Sequence, residues 1–133
     1  MTLVSGFEKI VRQQEPLANR TWLKLGGPAA FYAEPKSVDE LAALVRRCCE
    51  EEVPIRVIGG GSNVLIRDDG VPGMVVSLSG GDFTEIRVRG GRLTAGGGAT
   101  LAHALSETVR VGLTGLEPLV GIPGTIGGAL HGN

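Results

Sequence analysis

Apolar positions recur along the chain with two periods, three to four residues or two, and the changes of period divide it into elements. Phe7, Ile10 and Val11 fall at helical spacing, which predicts a short helix over 5–18 ending near Pro16. RTWLKLGGPAAFYAEP alternates apolar and polar positions around Gly26-Gly27-Pro28, predicting a turn that feeds a strand over 29–34. Ser37-Val38-Asp39-Glu40 spells a capping box, in which the serine accepts from the amide three residues on and the glutamate reaches back. Behind it, Val38, Leu41, Leu44, Val45 and Cys48 share one face of a helix predicted over 38–52, which Pro54 prevents from extending.

The next run predicts a strand at PIRVIG, a glycine loop, a second strand at NVLI, and a turn at RDDGVPG leading into MVVSL. FTEIRVRGGRLTAGGG carries a hairpin signal, with Ile86, Val88 and Leu93 alternating around the Gly90-Gly91 pair that a primed turn favours. Thr100 is placed to cap a helix over 101–111, and Gly112 to close it in the left-handed conformation. GLTGLEPLVGIPGTIGGALHGN reads as an apolar, glycine-studded loop. The pattern is α/β (α+β): strand-helix-strand first, antiparallel strands with helices later. Leu119, Val120, Ile122, Ile126 and Leu130 have no following element to cover them, so the natural protein is expected to continue past Asn133.

Composition narrows the class. With 133 residues there is room for one domain, and 42% hydrophobic with 20% charged residues is ordinary for a globular chain. Glycine is the exception at 22 positions, about one in six against the usual ~7%. These glycines cluster at 26–27, 59–61, 80–81, 90–91, 96–98 and 121–128, which suits close backbone approach at several loops and excludes a collagen-like repeat. Thirteen basic residues against fourteen acidic ones give a net charge of −1, without the cation excess of a nucleic-acid surface. No apolar run approaches the ~18 residues of a membrane span, so no membrane partner is expected and the setting is read as cytoplasmic. Adjacent Cys48 and Cys49 cannot staple distant segments and read as helix-borne thiols, at least one of them buried. His103 and His131 lack the carboxylate or cysteine companions of a metal site, so no metal is expected.

Candidate chemistry lies in the glycine loops. Gly59, Gly60 and Gly61 leave backbone N–H groups unshielded at a strand end, and such a concave row of amides binds anionic oxygen. Ser62 and Asn63 add donors to the same oxygens. A phosphate or diphosphate is the natural guest, and a tight turn or bulge is the alternative. Counting a dinucleotide fingerprint G-x-G-x-x-G from Gly59 puts Val64 at its last glycine, and no G-x-x-x-x-G-K-[ST] occurs. At Gly121-Ile122-Pro123-Gly124-Thr125-Ile126-Gly127-Gly128, a proline between glycines gives a rigid kink that a flat ligand could approach, or a connector between domains. His103 reads as a surface helix residue, and His131 lies beside the second loop. No catalytic constellation follows from spacing.

TWLKLGGPA, VIGGGSNVLI and GLEPLVGIPGTIGGALHGN, in that order, closely resemble the amino-terminal half of the UDP-N-acetylenolpyruvoylglucosamine reductase family, across residues 20–133. The resemblance implies a vanillyl-alcohol-oxidase-like FAD-binding fold, with a first α/β subdomain over 20–78 and the start of a second over 79–133. It implies FAD, its diphosphate on Gly59, Gly60, Gly61, Ser62 and Asn63, and its flavin and ribityl chain along Ile122, Pro123, Gly124, Gly127 and Gly128. It further implies NADPH as reductant and a UDP-sugar enolpyruvyl substrate. Asn133 resembles the first residue of the family's usual Asn-Ala-Gly continuation. The family's proton-donating serine, its Tyr-Arg arginine and its glutamate all lie downstream, so no catalytic residue is assigned within 1–133, and this chain alone is expected to be inactive. Another FAD oxidoreductase of the same fold class and a non-catalytic nucleotide-binding module are the competing readings.

Overall fold

Four strands, β1 (Val11–Glu15), β2 (Ala29–Ala33), β3 (Ile55–Ile58) and β4 (Val71–Ser77), form one sheet in the order β1-β2-β4-β3. The computed structural model describes residues 3–132, so Asn133 lies outside the described residues. β2, β4 and β3 run parallel, with Ile55 opposite Met74 and Tyr32 opposite Val75, while β1 pairs antiparallel with β2. Helix α1 (Val38–Glu50) carries the chain from β2 to β3, and β4 later inserts between them.

Each face of the sheet has its own apolar cover. On one face Leu44 and Cys48 of α1 pack against Val11, Ala33, Met74 and Val76, all of them buried. On the other, Leu17, Tyr32, Ile58 and Val75 pack with Ile66 and Val64, which belong to the connection from β3 to β4. A parallel pair obliges that connection to travel back the full length of a strand. Here it does so as turns and irregular chain rather than as a helix, and Val64 and Ile66 cover the sheet face in place of a second helix.

Local signals held where they were complete. The Ser37 hydroxyl accepts from the Glu40 amide at 3.2 Å, and the Glu40 carboxylate accepts from the Lys36 amide at 2.7 Å, one residue ahead of the cap. Cys48 is buried and Cys49 exposed. The hairpin forms as β5 (Ile86–Arg89) and β6 (Arg92–Ala95), with φ of 54° at Gly90 and 74° at Gly91. Helix α2 (Leu101–Arg110) follows, its first turn capped by Thr100 accepting from the His103 amide at 3.1 Å. His103 stands exposed on that helix, 4.0 Å from Glu107.

Three expectations fail. The predicted helix over 5–18 is a pair of turns running into β1: Phe7, Ile10 and Val11 hold helical spacing for one turn only, and pairing with β2 extends the rest. The sheet therefore begins at Val11, ahead of residue 20. NVLI is not a strand. Its alternation is real, with Ile66 buried and Leu65 exposed, but it reflects packing on a sheet face and not a ladder. The tail is not all loop, because α3 (Ile126–Gly132) includes Gly127 and Gly128.

Candidate functional site

The loop 59–63 leaves the carboxyl end of β3, the end at which open α/β sheets bind ligands. Its conformation is set by a second backbone lying against it. Trp22 N–H donates to Gly61 O at 3.0 Å, and a Cβ on Gly61, whose φ is +72°, would lie 1.9 Å from the Arg20 carbonyl oxygen. The contact continues downstream: Gly27 N–H donates to Arg67 O at 2.8 Å, and a Cβ on Gly70 would stand 2.1 Å from Pro28 O. The segments TWLKLGGPA and GGGSNVLIRDDG are thus packed backbone to backbone, which accounts for Gly61 as a packing residue.

Gly59 and Gly60 face elsewhere. A Cβ on Gly59 would lie 2.9 Å from Thr125 Oγ1, one on Gly60 3.6 Å from Gly124 Cα, and one on Gly124 3.3 Å from Ser62 Oγ. The two glycine loops, sixty residues apart in sequence, meet at these positions. Gly127 N–H donates to Gly97 O at 2.8 Å and Gly128 N–H to Thr125 Oγ1 at 3.1 Å, so both support the second loop from α3. Ile122 and Pro123 line an apolar cavity of about 540 Å³ against Leu105 and Val109 of α2. Asn63 is exposed and His131 stands exposed on α3.

Gly59 and Gly60 border a cavity of about 380 Å³ with Arg20, Lys24, Trp22, Tyr32, Ser77 and Ser79. That volume suits a small-molecule ligand. Arg20 donates to Glu15 at 2.7 Å and to Glu34 at 3.5 Å, with its guanidinium 4.1 Å above the Tyr32 ring. The Tyr32 hydroxyl donates to Glu34 Oε1 at 3.1 Å, and burial pushes the phenol's pKa up, so it stays neutral and donating. The hydrogen bond from Arg20 holds the Glu15 carboxyl below the usual range, against the opposing effect of burial. Sequence reasoning missed Arg20, Lys24, Tyr32, Ser77 and Ser79, which carry no motif of their own and meet only through the fold. Among the described residues no cluster of three or more His, Cys, Asp or Glu is placed to hold a metal ion.

A family described as an FAD binding domain matches residues 29–133. The chain belongs to the FAD-binding domain family. Its cofactor is FAD, and the cavity suits one: bare glycine backbone and serine hydroxyls offer donors to an anionic group such as a diphosphate. This FAD-binding domain is 47% identical over 124 residues to a UDP-N-acetylenolpyruvoylglucosamine reductase of Rhodopirellula baltica, covering 93% of the chain and 41% of the relative. It is 46% identical over 121 residues to the reductase of Heliobacterium modesticaldum, covering 91% and 38%. The crystal structure of UDP-N-acetylenolpyruvylglucosamine reductase from Thermus caldophilus superimposes with a TM-score of 0.71 at 37% identity, over 86% of this chain and 39% of that one. The domain spans about two fifths of the length of the curated relatives it matches. No helix among the described residues is long and apolar enough to cross a membrane.

Proposed function

We propose that the chain is the FAD-binding part of a UDP-N-acetylenolpyruvoylglucosamine reductase, an NADPH-dependent flavoenzyme that reduces UDP-N-acetylglucosamine enolpyruvate to UDP-N-acetylmuramate in peptidoglycan synthesis. The observation that carries this reading is the meeting of the two glycine loops, Gly60 against Gly124 and Gly124 against Ser62. The identity to named reductases along nearly the whole chain supports it.

When bound, FAD supplies the two-electron carrier between NADPH and the enolpyruvyl double bond. Gly59, Gly60 and Gly61 frame the diphosphate with backbone amides, and Ser62 and Asn63 add side-chain donors. Ile122, Pro123, Gly124, Gly127 and Gly128 would border the flavin and its ribityl chain, with bare backbone at Gly124 and the fixed kink at Pro123 allowing close approach. Residues 20–78 and 79–133 act as two subdomains that bring one loop each. The chain's own residues bind and orient; none within 1–133 is assigned to the chemistry. The enzyme works in the cytoplasm on a UDP-sugar, with no nucleic-acid or membrane partner.

Titration of the chain with FAD, read by flavin fluorescence and absorption, tests the proposal. Gly60→Glu puts a carboxylate beside the diphosphate without a backbone clash, and should weaken binding by roughly tenfold or more through like-charge repulsion. An unaltered chain that leaves the flavin spectrum untouched, or a Gly60→Glu chain that binds as tightly as the parent, would overturn it.

A further inference from the structure

Two cations, Arg20 and Lys24, border the cavity beside Gly59 and Gly60, and the structure separates their roles. Arg20 is already engaged. Its guanidinium is shared between Glu15 and Glu34 and stacked on Tyr32, and Arg12 pairs with the same two carboxylates at 3.3 Å each. Two arginines offset two glutamates, so this cluster offers an incoming anion no net charge. Lys24 differs. Among the described residues its ammonium has no ion pair and donates only to the Asn19 carbonyl, at 3.4 Å.

The backbone at Lys24 is also unusual, with φ of +56°, a left-handed conformation that favours glycine. A charged side chain held there at the rim of a cavity is the kind of outlier from which a functional role is inferred. The turn that carries it is fixed to the glycine loop. Lys24 N–H donates to Thr21 O at 3.2 Å, the buried Thr21 hydroxyl lies 3.1 Å from Ala18 O and 3.3 Å from Leu25 O, and neighbouring Trp22 binds Gly61 O.

We propose that Lys24 supplies the cationic contact for the cofactor's diphosphate, complementing the bare amides of Gly59 and Gly60; this rests on the cofactor reading above. Amides alone orient the oxygens, and the lysine supplies a full charge to balance them. It also makes binding sensitive to salt.

The test is calorimetric titration with FAD at several salt concentrations, using the unaltered chain, Lys24→Gln and Lys24→Gly. Both variants should bind roughly tenfold more weakly, with a shallower salt dependence, because a charge-assisted contact is lost. Lys24→Gly should also melt at a higher temperature than the parent, since glycine accepts this conformation, so its lost affinity cannot come from a damaged fold. Binding of FAD by either variant within about twofold of the parent overturns the role of Lys24 and leaves the cofactor reading standing. Failure of the unaltered chain to bind FAD overturns both.

Discussion

Gly60 and Gly61 are neighbours in one glycine run, yet the structure assigns them opposite sensitivities to the same small change. A methyl group on Gly61 must adopt φ of +72° and would lie 1.9 Å from the Arg20 carbonyl oxygen, whereas real Cβ contacts essentially never fall below 3.0 Å. The left-handed conformation costs an alanine about 1 kcal/mol. Moving the two backbones apart strains or breaks the bond from Trp22 N–H to Gly61 O, at about 1 kcal/mol more. Gly61→Ala should therefore lose about 2 kcal/mol of folding stability, a fall of roughly 8 °C in Tm for a chain of this size. At Gly60 the added methyl meets only Gly124 Cα at 3.6 Å, ordinary van der Waals contact, and φ lies outside the left-handed range. Gly60→Ala should stay within about 0.5 kcal/mol of the parent. Urea unfolding and thermal melting followed by circular dichroism, without cofactor, read both values. A Gly61→Ala loss below about 1 kcal/mol, or an equal loss at Gly60, would refute the claim that close backbone packing requires the missing side chain at Gly61 and not at Gly60.

Two further outcomes follow from the cluster beside the site and from the core. The Arg20 hydrogen bond lowers the Glu15 pKa in the folded state, so that carboxylate stabilises the fold above the unfolded value of ~4.3 and the contribution is lost as pH falls through the folded value. The urea midpoint of Glu15→Gln should accordingly change less than the parent's between about pH 6 and pH 3, and an identical acid limb would remove Glu15 from the account. Leu44 is fully buried between α1 and the sheet, so Leu44→Ala should lose about 2–5 kcal/mol by denaturant titration; a loss below 1 kcal/mol would contradict the packing described.

The elements legible in the sequence were those whose signals are local. Ser37 with Glu40, Thr100 before α2, and Gly90-Gly91 in the hairpin each mark a structure completed within a few residues, and each formed. β1 was not legible because its strand character comes from β2, some eighteen residues away, while Phe7 and Ile10 mimic a helix for one turn. Residues 64–66 were misread because alternation reports burial on a face and does not reveal whether a ladder partner exists. The site was half legible. Glycine runs advertise bare backbone, but nothing in the sequence brings Gly60 to Gly124, and nothing distinguishes Lys24 from any other surface lysine until the turn at 21–24 aims it at the cavity rim.

The connection between β3 and β4 begins with Gly59 and Gly60 at the cavity and continues through Val64 and Ile66 into the apolar cover of the sheet. Only residues 61–63 separate Gly60 from Val64, so the cavity wall and the apolar cover belong to one short stretch of chain. Opening the site to exchange a ligand would then also wet one side of the sheet, so ligand residence and amide-exchange protection of 59–70 would rise and fall together. A ligand gripped at the glycine end acts as a peg, and much of the protection it confers would be felt at Ile66, a residue it never touches.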